Sequence, residues 1–251
     1  MGARRLGRAV TEAAGLDAAT GAGAVASTSA GPRIDPADRR VGILGGTFDP
    51  IHFGHLIIAD QVREALQLDR VLFIPAAMPP HKLEEHVTPV VDRAAMVELA
   101  IAGNPSFSMS PIELERSGPS YTVDTLAELT AEAARQGVER EFHFILSVEA
   151  LAWFKSWHEP AQLLKLARLA VVARPGAPMP VGRHLGALLP GGAASMSRVE
   201  CIETMLIAHS ASDVRARVAS GRSIRYLVPP AVEAYIRDHR LYLSDNSMRT
   251  A

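Results

Sequence analysis

The fold of this chain is decided by one stretch of its sequence, Val41-Gly42-Ile43-Leu44-Gly45-Gly46-Thr47-Phe48-Asp49-Pro50-Ile51-His52-Phe53-Gly54-His55. Its first four residues run into two glycines, a pattern typical of a buried strand that meets a tight turn. Apolar residues then recur at helical spacing from about His55 to Leu68, so a helix is predicted directly after the turn. The stretch is thus a strand, a loop and a helix in succession, as in α/β folds.

The same alternation of short apolar strands and helices continues along the chain. Strands are predicted at Val41–Leu44, Val71–Ile74, Phe107–Met109, Phe142–Leu146, Leu169–Ala173 and Cys201–Ile207, and further helices at Val91–Ala102, Tyr121–Ala134, Ser212–Ala219 and Ala231–His239. This alternation favours a parallel sheet with helices on both faces. We therefore predict an α/β fold, a Rossmann-like doubly wound parallel sheet in a single domain with a small C-terminal helical part. Ligands of such sheets bind in the loops beyond the carboxyl ends of the strands.

Composition and charge narrow the classes of function. The 251 residues are 48% hydrophobic and carry a formal net charge of -1, so nothing electrostatic favours nucleic acid or an acidic membrane surface as a partner. No stretch approaches the roughly 18 consecutive apolar residues that a membrane helix needs. The single cysteine, Cys201, is expected to be a small buried core residue in a reducing, cytoplasmic protein. The sequence leaves the oligomeric state open, a homo-oligomer included.

Three regions are predicted along the chain. Residues 1–39 are nearly free of large hydrophobic side chains, so burial cannot offset the entropy cost of ordering them. We expect a disordered N-terminal extension there, or a start codon placed too early. The domain is predicted to cover residues 40–243, and residues 244–251 are predicted to form a flexible C-terminal tail.

The loop after the first strand has the residues of a phosphate site. Gly45 and Gly46 let the backbone pass close to a bulky anion, and the free amides at a helix N-terminus attract phosphate. His52 and His55 are three residues apart, so at a helix start they share one face and can donate hydrogen bonds to developing charge. The alternative is a glycine turn with two surface histidines. The combined pattern favours a nucleotide-phosphate site.

The pattern Gly-x-Phe-Asp-Pro-x-His-x-Gly-His resembles the signature of the nucleotidylyltransferase superfamily, and the predicted sheet is of the type that this resemblance implies. Later segments are similar to those of bacterial nicotinate mononucleotide adenylyltransferases, over about Val41 to Tyr242. These segments are Pro79–Lys82, Ser120–Leu126, Trp157-His158, Arg174–Gly176, and Ile224–Leu227 with the prolines that follow.

Two segments depart from the family pattern. The family's Phe-Ile-x-Gly-x-Asp reads Phe144-Ile145-Leu146-Ser147-Val148-Glu149, with Ser147 in place of glycine and Glu149 in place of aspartate. The family's Ile-Ser-x-Thr-x-Ile-Arg reads His209-Ser210-Ala211-Ser212-Asp213-Val214-Arg215, which keeps both hydroxyl positions and the arginine. Glu149 can still accept hydrogen bonds from ribose hydroxyls, with one extra methylene to fit.

The resemblance implies that a 5′-phosphate attacks the α-phosphorus of ATP and releases pyrophosphate. Nicotinate mononucleotide is the implied acceptor and deamido-NAD the product, a step in NAD biosynthesis. An attacking phosphate has a second pKa of about 6 and is mostly ionised at neutral pH, so it needs no general base. Positioning and charge neutralisation remain for the protein to supply.

The resemblance also implies a role for each site residue. His52, His55 and Arg215 are the catalytic candidates, and the predicted ATP-binding residues are Gly45, Gly46, Thr47, Phe48, His52, His55, Ser147, Glu149, Ser210, Ser212 and Arg215. The predicted mononucleotide-binding residues are Lys82, Thr122, Trp157, His158 and Arg174. Mg²⁺ is expected to arrive bound to ATP, without a metal site made of protein ligands. The alternatives are core packing for Trp157 and a solvated loop position for Lys82.

Other functions compete with this interpretation. Another adenylyl or cytidylyl transferase, such as one acting on phosphopantetheine, would share the histidine loop but gives no reason for Trp157 and the Tyr121-Thr122 segment. A tRNA synthetase is disfavoured, because the chain is short and has no lysine-rich second signature. A non-catalytic nucleotide-binding protein is supported only by Ser147 and Glu149.

Overall fold

Six strands form one sheet within the residues that this computed structural model describes, 34–79, 87–173, 178–205 and 208–244. The strands are β1 (Arg40–Gly46), β2 (Arg70–Pro75), β3 (Phe107–Met109), β4 (Glu141–Ser147), β5 (Ala167–Val172) and β6 (Val199–Ile202). All neighbouring pairs are parallel. Ile43 of β1 lies opposite Leu72 of β2 on one side and Phe144 of β4 on the other.

The strand order, β3-β2-β1-β4-β5-β6, reverses direction at the middle of the sheet. From β1 the chain moves outward to β2 and β3, then returns to β4 on the other side of β1 and moves outward again. A crevice opens beyond the carboxyl ends of the strands at such a switch point. β1 ends in Gly45 and Gly46, which the sequence predicts as a turn but which the structure keeps in the strand, paired with Ile74 and Pro75 of β2. The sheet therefore places both glycines at the crevice.

Helices cover both faces of the sheet. They are α1 (Phe53–Ala65), α2 (Val90–Ile101), α3 (Thr122–Arg135), α4 (Val148–Ala152), α5 (Pro160–Leu166), α6 (Gly182–Ala187), α7 (Ala211–Ala219) and α8 (Pro230–Asp238). Val71 and Phe73 pack in one core with α1, α2, α7 and α8, whereas Leu72 and Ile74 pack in a second core with α3, α5 and α6. The predicted doubly wound parallel sheet is confirmed. No helix within the described ranges combines the length and apolar content that crossing a membrane requires.

The last strand differs from its prediction. The sequence predicts a strand at Cys201–Ile207 with Cys201 buried, but β6 covers Val199–Ile202 and Cys201 is exposed. β6 is an edge strand, and Ile202 is its one buried residue. An apolar run does not reveal that its strand lies at an edge, where a neighbour is missing on one side.

Helix boundaries differ by a few residues. α1 begins at Phe53 rather than His55 and ends at Ala65 rather than Leu68. Gln67 adopts a φ of 51°, in the left-handed region, and a right-handed helix cannot continue through it. The sequence does not predict α4, α5 and α6, because they are too short to show a helical period.

Residues 34–39 belong to the folded part. Ile34 is buried in the core on the side of α3 and α5. Arg140 donates hydrogen bonds to the carbonyl oxygens of Asp35 over 3.1 Å and of Asp38 over 3.2 Å. The sequence assigns these residues to the N-terminal extension, so the fold begins earlier than predicted. Residues 1–33 and 245–251 lie outside the described part, and the extension and tail stay predictions there.

The Asp69 carboxylate fixes the entry into β1. Its Oδ2 accepts hydrogen bonds from the backbone amides of Arg39 and Arg40, both over 2.8 Å. The Arg40 amide is the main reason that the pKa of Asp69 lies below its ordinary value, and the Arg39 amide acts in the same direction. The ionised carboxylate therefore stabilises the fold above a pH of about 4, and this contribution is lost as the pH falls through the native pKa.

We expect Asp69→Asn to lower the free energy of unfolding by about 1 kcal/mol at neutral pH, because a neutral amide oxygen accepts these bonds more weakly. The difference from the wild type should narrow as the pH falls below about 4, where the unfolded chain begins to take up the proton, and should be lost once the native carboxylate, with its lower pKa, is protonated as well. Urea unfolding at neutral and acidic pH measures both effects. Glu98→Gln, at an exposed position of α2, is the control. A difference that stays constant with pH contradicts this role.

Candidate active site

The loop after β1 provides the first part of the site. Phe48 adopts a φ of 49°, and its buried ring packs edge-on to His55 with the ring centroids 5.1 Å apart. A Cβ on Gly46 would lie 3.1 Å from two atoms of the Phe48 ring. Gly46 therefore makes room for Phe48, in addition to the close approach of an anion that the sequence suggests.

His52 and His55 stand together at the start of α1. Their rings stack with centroids 3.8 Å apart and planes at 26°. His52 is the N-cap residue, and its backbone amide donates to Nδ1 of His55 over 3.2 Å. A neutral imidazole whose Nδ1 accepts a hydrogen bond carries its proton on Nε2. In that form, the His55 ring donates through Nε2–H.

A third imidazole reaches this pair from α7. The ring of His209 lies edge-on to His52, with centroids 4.9 Å apart and planes at 62°. His209 precedes Ser210, the N-cap residue of α7. The Ser210 hydroxyl accepts from the Asp213 amide over 3.2 Å and donates to Asp213 Oδ2 over 2.7 Å. The sequence assigns this hydroxyl to the ATP phosphates, but the structure uses it as a helix cap.

Arg215 joins α7 to the loop after β1. Its Nη1 donates to the carbonyl oxygen of Asp49 over 2.7 Å, and its Nη2 donates to the Ser212 hydroxyl over 3.3 Å. The side chain of Asp49 is buried, and its Oδ1 accepts a hydrogen bond from the Tyr242 hydroxyl over 2.7 Å. Burial, followed by the Asp49 charge, raises the pKa of Tyr242. The C-terminal end of the domain and α7 thus hold the same loop.

A buried guanidinium that the sequence analysis misses also holds this loop. Arg93 of α2 is 1% exposed and donates to the carbonyl oxygens of Thr47 over 2.6 Å, Thr88 over 2.8 Å and Ala77 over 3.4 Å. Burial lowers the pKa of Arg93, and the Asp49 carboxylate opposes this change. The sequence contains a signal, because Arg93 falls on the apolar stripe of a predicted helix.

A cleft with a volume of about 670 Å³ opens beside the loop after β1. Gly45–Thr47 form part of its wall, and Thr122, the first residue of α3, forms another part. Trp157 and His158 line the cleft as well. The two glycines at the end of β1 therefore line the same cleft as three of the residues that the sequence assigns to the mononucleotide.

The aromatic part of the cleft wall is packed on the core. The Trp157 ring is half-buried, lies edge-on to Phe144 at 5.8 Å and tilts against Phe154 at 5.4 Å. His158 stacks on Tyr121 with centroids 4.4 Å apart. Trp157 thus packs against the core and lines a cleft at the same time.

Glu113, a second residue that the sequence analysis misses, places a carboxyl group on the cleft wall. It is 7% exposed, and its Oε1 accepts from the Thr125 hydroxyl over 2.7 Å. Burial raises the pKa of Glu113, and hydrogen bonds from the Thr125 and Ser120 hydroxyls oppose this rise. Ser120 also pairs through its amide with the Met78 carbonyl over 3.0 Å, which ties the start of α3 to the loop after β2. Glu113 lies in an irregular segment, so no periodicity marks it.

The Ser147 and Glu149 departures lie where β4 meets α4. The Ser147 hydroxyl accepts from the Ala150 amide over 3.3 Å and caps α4, while Glu149 is exposed in the first turn of that helix. Serine in place of glycine therefore gains a helix cap. Lys82 and Arg174 lie outside the described residues, and their assignment to the mononucleotide stays a prediction.

Comparison with known proteins gives the family. Residues 43–217 match the family model described as cytidylyltransferase-like. A Thermomicrobium roseum protein named probable nicotinate-nucleotide adenylyltransferase is 46% identical over 209 residues, which are 83% of this chain and 94% of that protein. A Roseiflexus sp. protein of the same name is 50% identical over 202 residues, 80% of this chain and 97% of that protein.

A solved structure shares the fold. It is the Plasmodium falciparum nicotinic acid mononucleotide adenylyltransferase complexed with APC, with a TM-score of 0.64 over 81% of this chain and 97% of that one. Its identity of 18% makes this a likeness of fold alone. The family match covers more than half of the chain, and the two relatives cover at least 80% of it. This chain therefore belongs to the cytidylyltransferase-like family and, within it, to the nicotinate-nucleotide adenylyltransferases.

Proposed function

We propose that this protein transfers the adenylyl group of ATP to the 5′-phosphate of nicotinate mononucleotide, giving deamido-NAD and pyrophosphate. The observation that carries the proposal is the shared cleft, in which Gly45–Thr47, at the end of β1 and the switch point, face the same space as Thr122 and Trp157. A glycine-rich strand end and an aromatic side chain in one cleft suit a nucleotide with an aromatic base. The names of the two relatives support the same substrates.

ATP is assigned to the loop after β1 and the start of α7. The amides of Gly46, Thr47 and Phe48 and the N-terminus of α1 attract the phosphate chain, and His52 and His55 donate to it. Arg215 offsets the charge of the β and γ groups, with Ser210 and Ser212 nearby at the start of α7. Gly45, Ser147 and Glu149 are assigned to the nucleoside part of ATP. Gly45 and Ser147 lie at the ends of β1 and β4, and Glu149 follows in the first turn of α4.

The reaction requires positioning more than proton transfer. A 5′-phosphate oxygen forms a bond to the α-phosphorus of ATP while the bond from that phosphorus to the bridging oxygen of pyrophosphate breaks. The Nε2–H of His55 donates to the charge that develops in this displacement, and the ring of His52 stacks on that of His55. Holding two anions against each other in line is the larger part of the catalysis.

Mg²⁺ is proposed to enter with ATP. The groups that converge on the phosphate site are imidazoles and a guanidinium, which suit phosphate oxygens. The buried carboxylate of the loop, Asp49, is already bonded to the Tyr242 hydroxyl. When bound with ATP, Mg²⁺ would supply charge neutralisation on the triphosphate, and His52, His55 and Arg215 would hold the remaining phosphate oxygens. These residues therefore fit an ion that is held chiefly by the nucleotide.

Nicotinate mononucleotide is assigned to the aromatic part of the cleft. Trp157 offers a face for the pyridine ring, and Thr122 offers a hydroxyl for the ring carboxylate. His158 lies beside them in the wall, and Lys82 and Arg174 are assigned to the phosphate and its surroundings by the resemblance alone. Both partners are small nucleotides rather than nucleic acid. The single cysteine suits a cytoplasmic enzyme, and a homo-oligomer is compatible with the proposed reaction.

Pyrophosphate release tests the proposal directly. The purified protein is mixed with Mg²⁺ and ATP, together with nicotinate mononucleotide, nicotinamide mononucleotide or phosphopantetheine in separate reactions. We expect release with nicotinate mononucleotide and a dinucleotide product of matching mass. Release with phosphopantetheine alone would assign the chain another acceptor, and release with none would favour a non-catalytic nucleotide-binding protein.

Replacing His55 should separate turnover from binding. We expect His55→Ala to lower kcat by about 100-fold or more, because loss of one donor to developing charge costs about 3 kcal/mol. Binding of the mononucleotide and the melting temperature should change little. His239→Ala, at an exposed residue after α8, is the matched control. Near wild-type turnover of His55→Ala would remove His55 from the mechanism.

The ring substituent should decide between the two mononucleotides. A carboxylate only accepts hydrogen bonds and suits both the Thr122 hydroxyl and backbone amides, whereas a carboxamide brings N–H donors that would meet backbone amides, which are also donors. Each mispairing costs roughly 1–3 kcal/mol, so we expect nicotinate mononucleotide to have a kcat/KM about 10- to 1000-fold higher. Trp157→Ala should weaken both substrates and keep their order, since stacking does not distinguish the substituent. Equal kcat/KM values for the two would contradict a donor-lined pocket.

A further inference from the structure

His209 is a polar residue at a position where the family pattern has isoleucine. It directly precedes the N-cap residue of α7, and its ring lies 4.9 Å from that of His52. His52 in turn stacks on His55 at 3.8 Å. Three imidazoles therefore stand in a row from the start of α1 to the start of α7.

The Nε2 atom of His209 is buried and has no hydrogen-bond partner among the residues that the structure describes. A buried polar nitrogen costs free energy unless it is hydrogen-bonded, and an aliphatic side chain would fill the same space without that cost. A functional partner is expected for such an atom. The neighbouring site is the one that the proposed function assigns to phosphate oxygens, which are strong acceptors for imidazole N–H groups.

Groups from both helices lie next to His209. On the α1 side the ring of His52 packs against it, and on the α7 side the Asp213 carboxylate is close enough to interact with its charge. The Ser210 hydroxyl and amide lower the pKa of Asp213, and the charges of His209 and His52 lower it further. Asp213 is engaged with Ser210 over 2.7 Å, so it holds the helix start and leaves the imidazole to another partner.

We propose that His209 is a third phosphate-binding imidazole of this site, which donates from its ring to the phosphate chain of ATP beside His52. The proposal rests on the proposed function, because it requires ATP at the start of α1. It assigns a role to a residue for which the family pattern gives none.

The test measures binding of α,β-methylene ATP with Mg²⁺ to the full chain by calorimetry at neutral pH. His209→Ile restores the residue of the family pattern and removes the donor. We expect its dissociation constant to exceed that of the wild type by about three- to tenfold. His209→Gln keeps an N–H donor, so its dissociation constant should stay close to that of the wild type. His184→Ile, at an exposed residue of α6, is the control.

Two readouts separate this role from packing. Thermal melting of His209→Ile should equal or exceed that of the wild type, because a buried unpaired nitrogen is removed. The KM for nicotinate mononucleotide should not change. An unchanged dissociation constant of His209→Ile for the ATP analogue would overturn the proposal, and so would an equal loss of mononucleotide affinity. Failure of the wild type to bind the analogue would instead refute the proposed function.

Discussion

The buried charge of Arg93 is the constraint on which the site depends. A guanidinium that is 1% exposed must be hydrogen-bonded, and its charge must be offset by a nearby negative charge. Here three carbonyl oxygens accept hydrogen bonds from Arg93, and the Asp49 carboxylate offsets its charge. One acceptor is the carbonyl of Thr47. Because the C=O and N–H of a trans peptide point in opposite directions, this contact turns the amide of Phe48 away from Arg93. A buried cation thereby orients an amide assigned to an anion.

The same loop is held from two further directions. Arg215 of α7 binds the Asp49 carbonyl, and Tyr242 near the C-terminus binds the Asp49 side chain. Three segments far apart in the sequence thus restrain one short turn. A reaction that proceeds by positioning and charge stabilisation needs donors that are fixed before the substrates arrive. The contacts of Asp49 and Thr47 supply that rigidity from within the protein, without using the ligand.

Local patterns in the sequence were sufficient for the sheet and for the position of the site. The apolar run Val41–Leu44, the glycine turn and the helix after it predict a strand–loop–helix unit, and the alternation along the chain predicts the parallel order. The Arg93 and Glu113 contacts could not be predicted, because each joins segments whose proximity only the tertiary fold creates. Cys201 was misjudged for the same reason, since an apolar context does not say whether a strand lies at the edge.

Ser210 shows a different limit of sequence reasoning. A serine at a helix start is suited both to capping the helix and to donating to a phosphate, and the two uses compete for one hydroxyl proton. The carboxylate of Asp213, three residues later, accepts a hydrogen bond from the Ser210 hydroxyl over 2.7 Å, so the hydroxyl is used in the helix cap. The motif predicts a role for the residue, whereas the contacts of its neighbour determine what the hydroxyl is bonded to.

The departures from the family pattern divide unevenly between the two substrates. Ser147, Glu149 and His209 all lie in segments assigned to ATP, whereas Ser120–Leu126 and Trp157-His158 keep the pattern assigned to the mononucleotide. A phosphate chain presents many acceptor oxygens, so a donor gained at one position can offset another that is engaged elsewhere, as the Ser210 hydroxyl is. A pyridine ring presents one face and one substituent, which leaves few equivalent solutions. In this chain the departures therefore fall in the segments assigned to the ligand that offers redundant contacts, and not in those assigned to the pyridine ring.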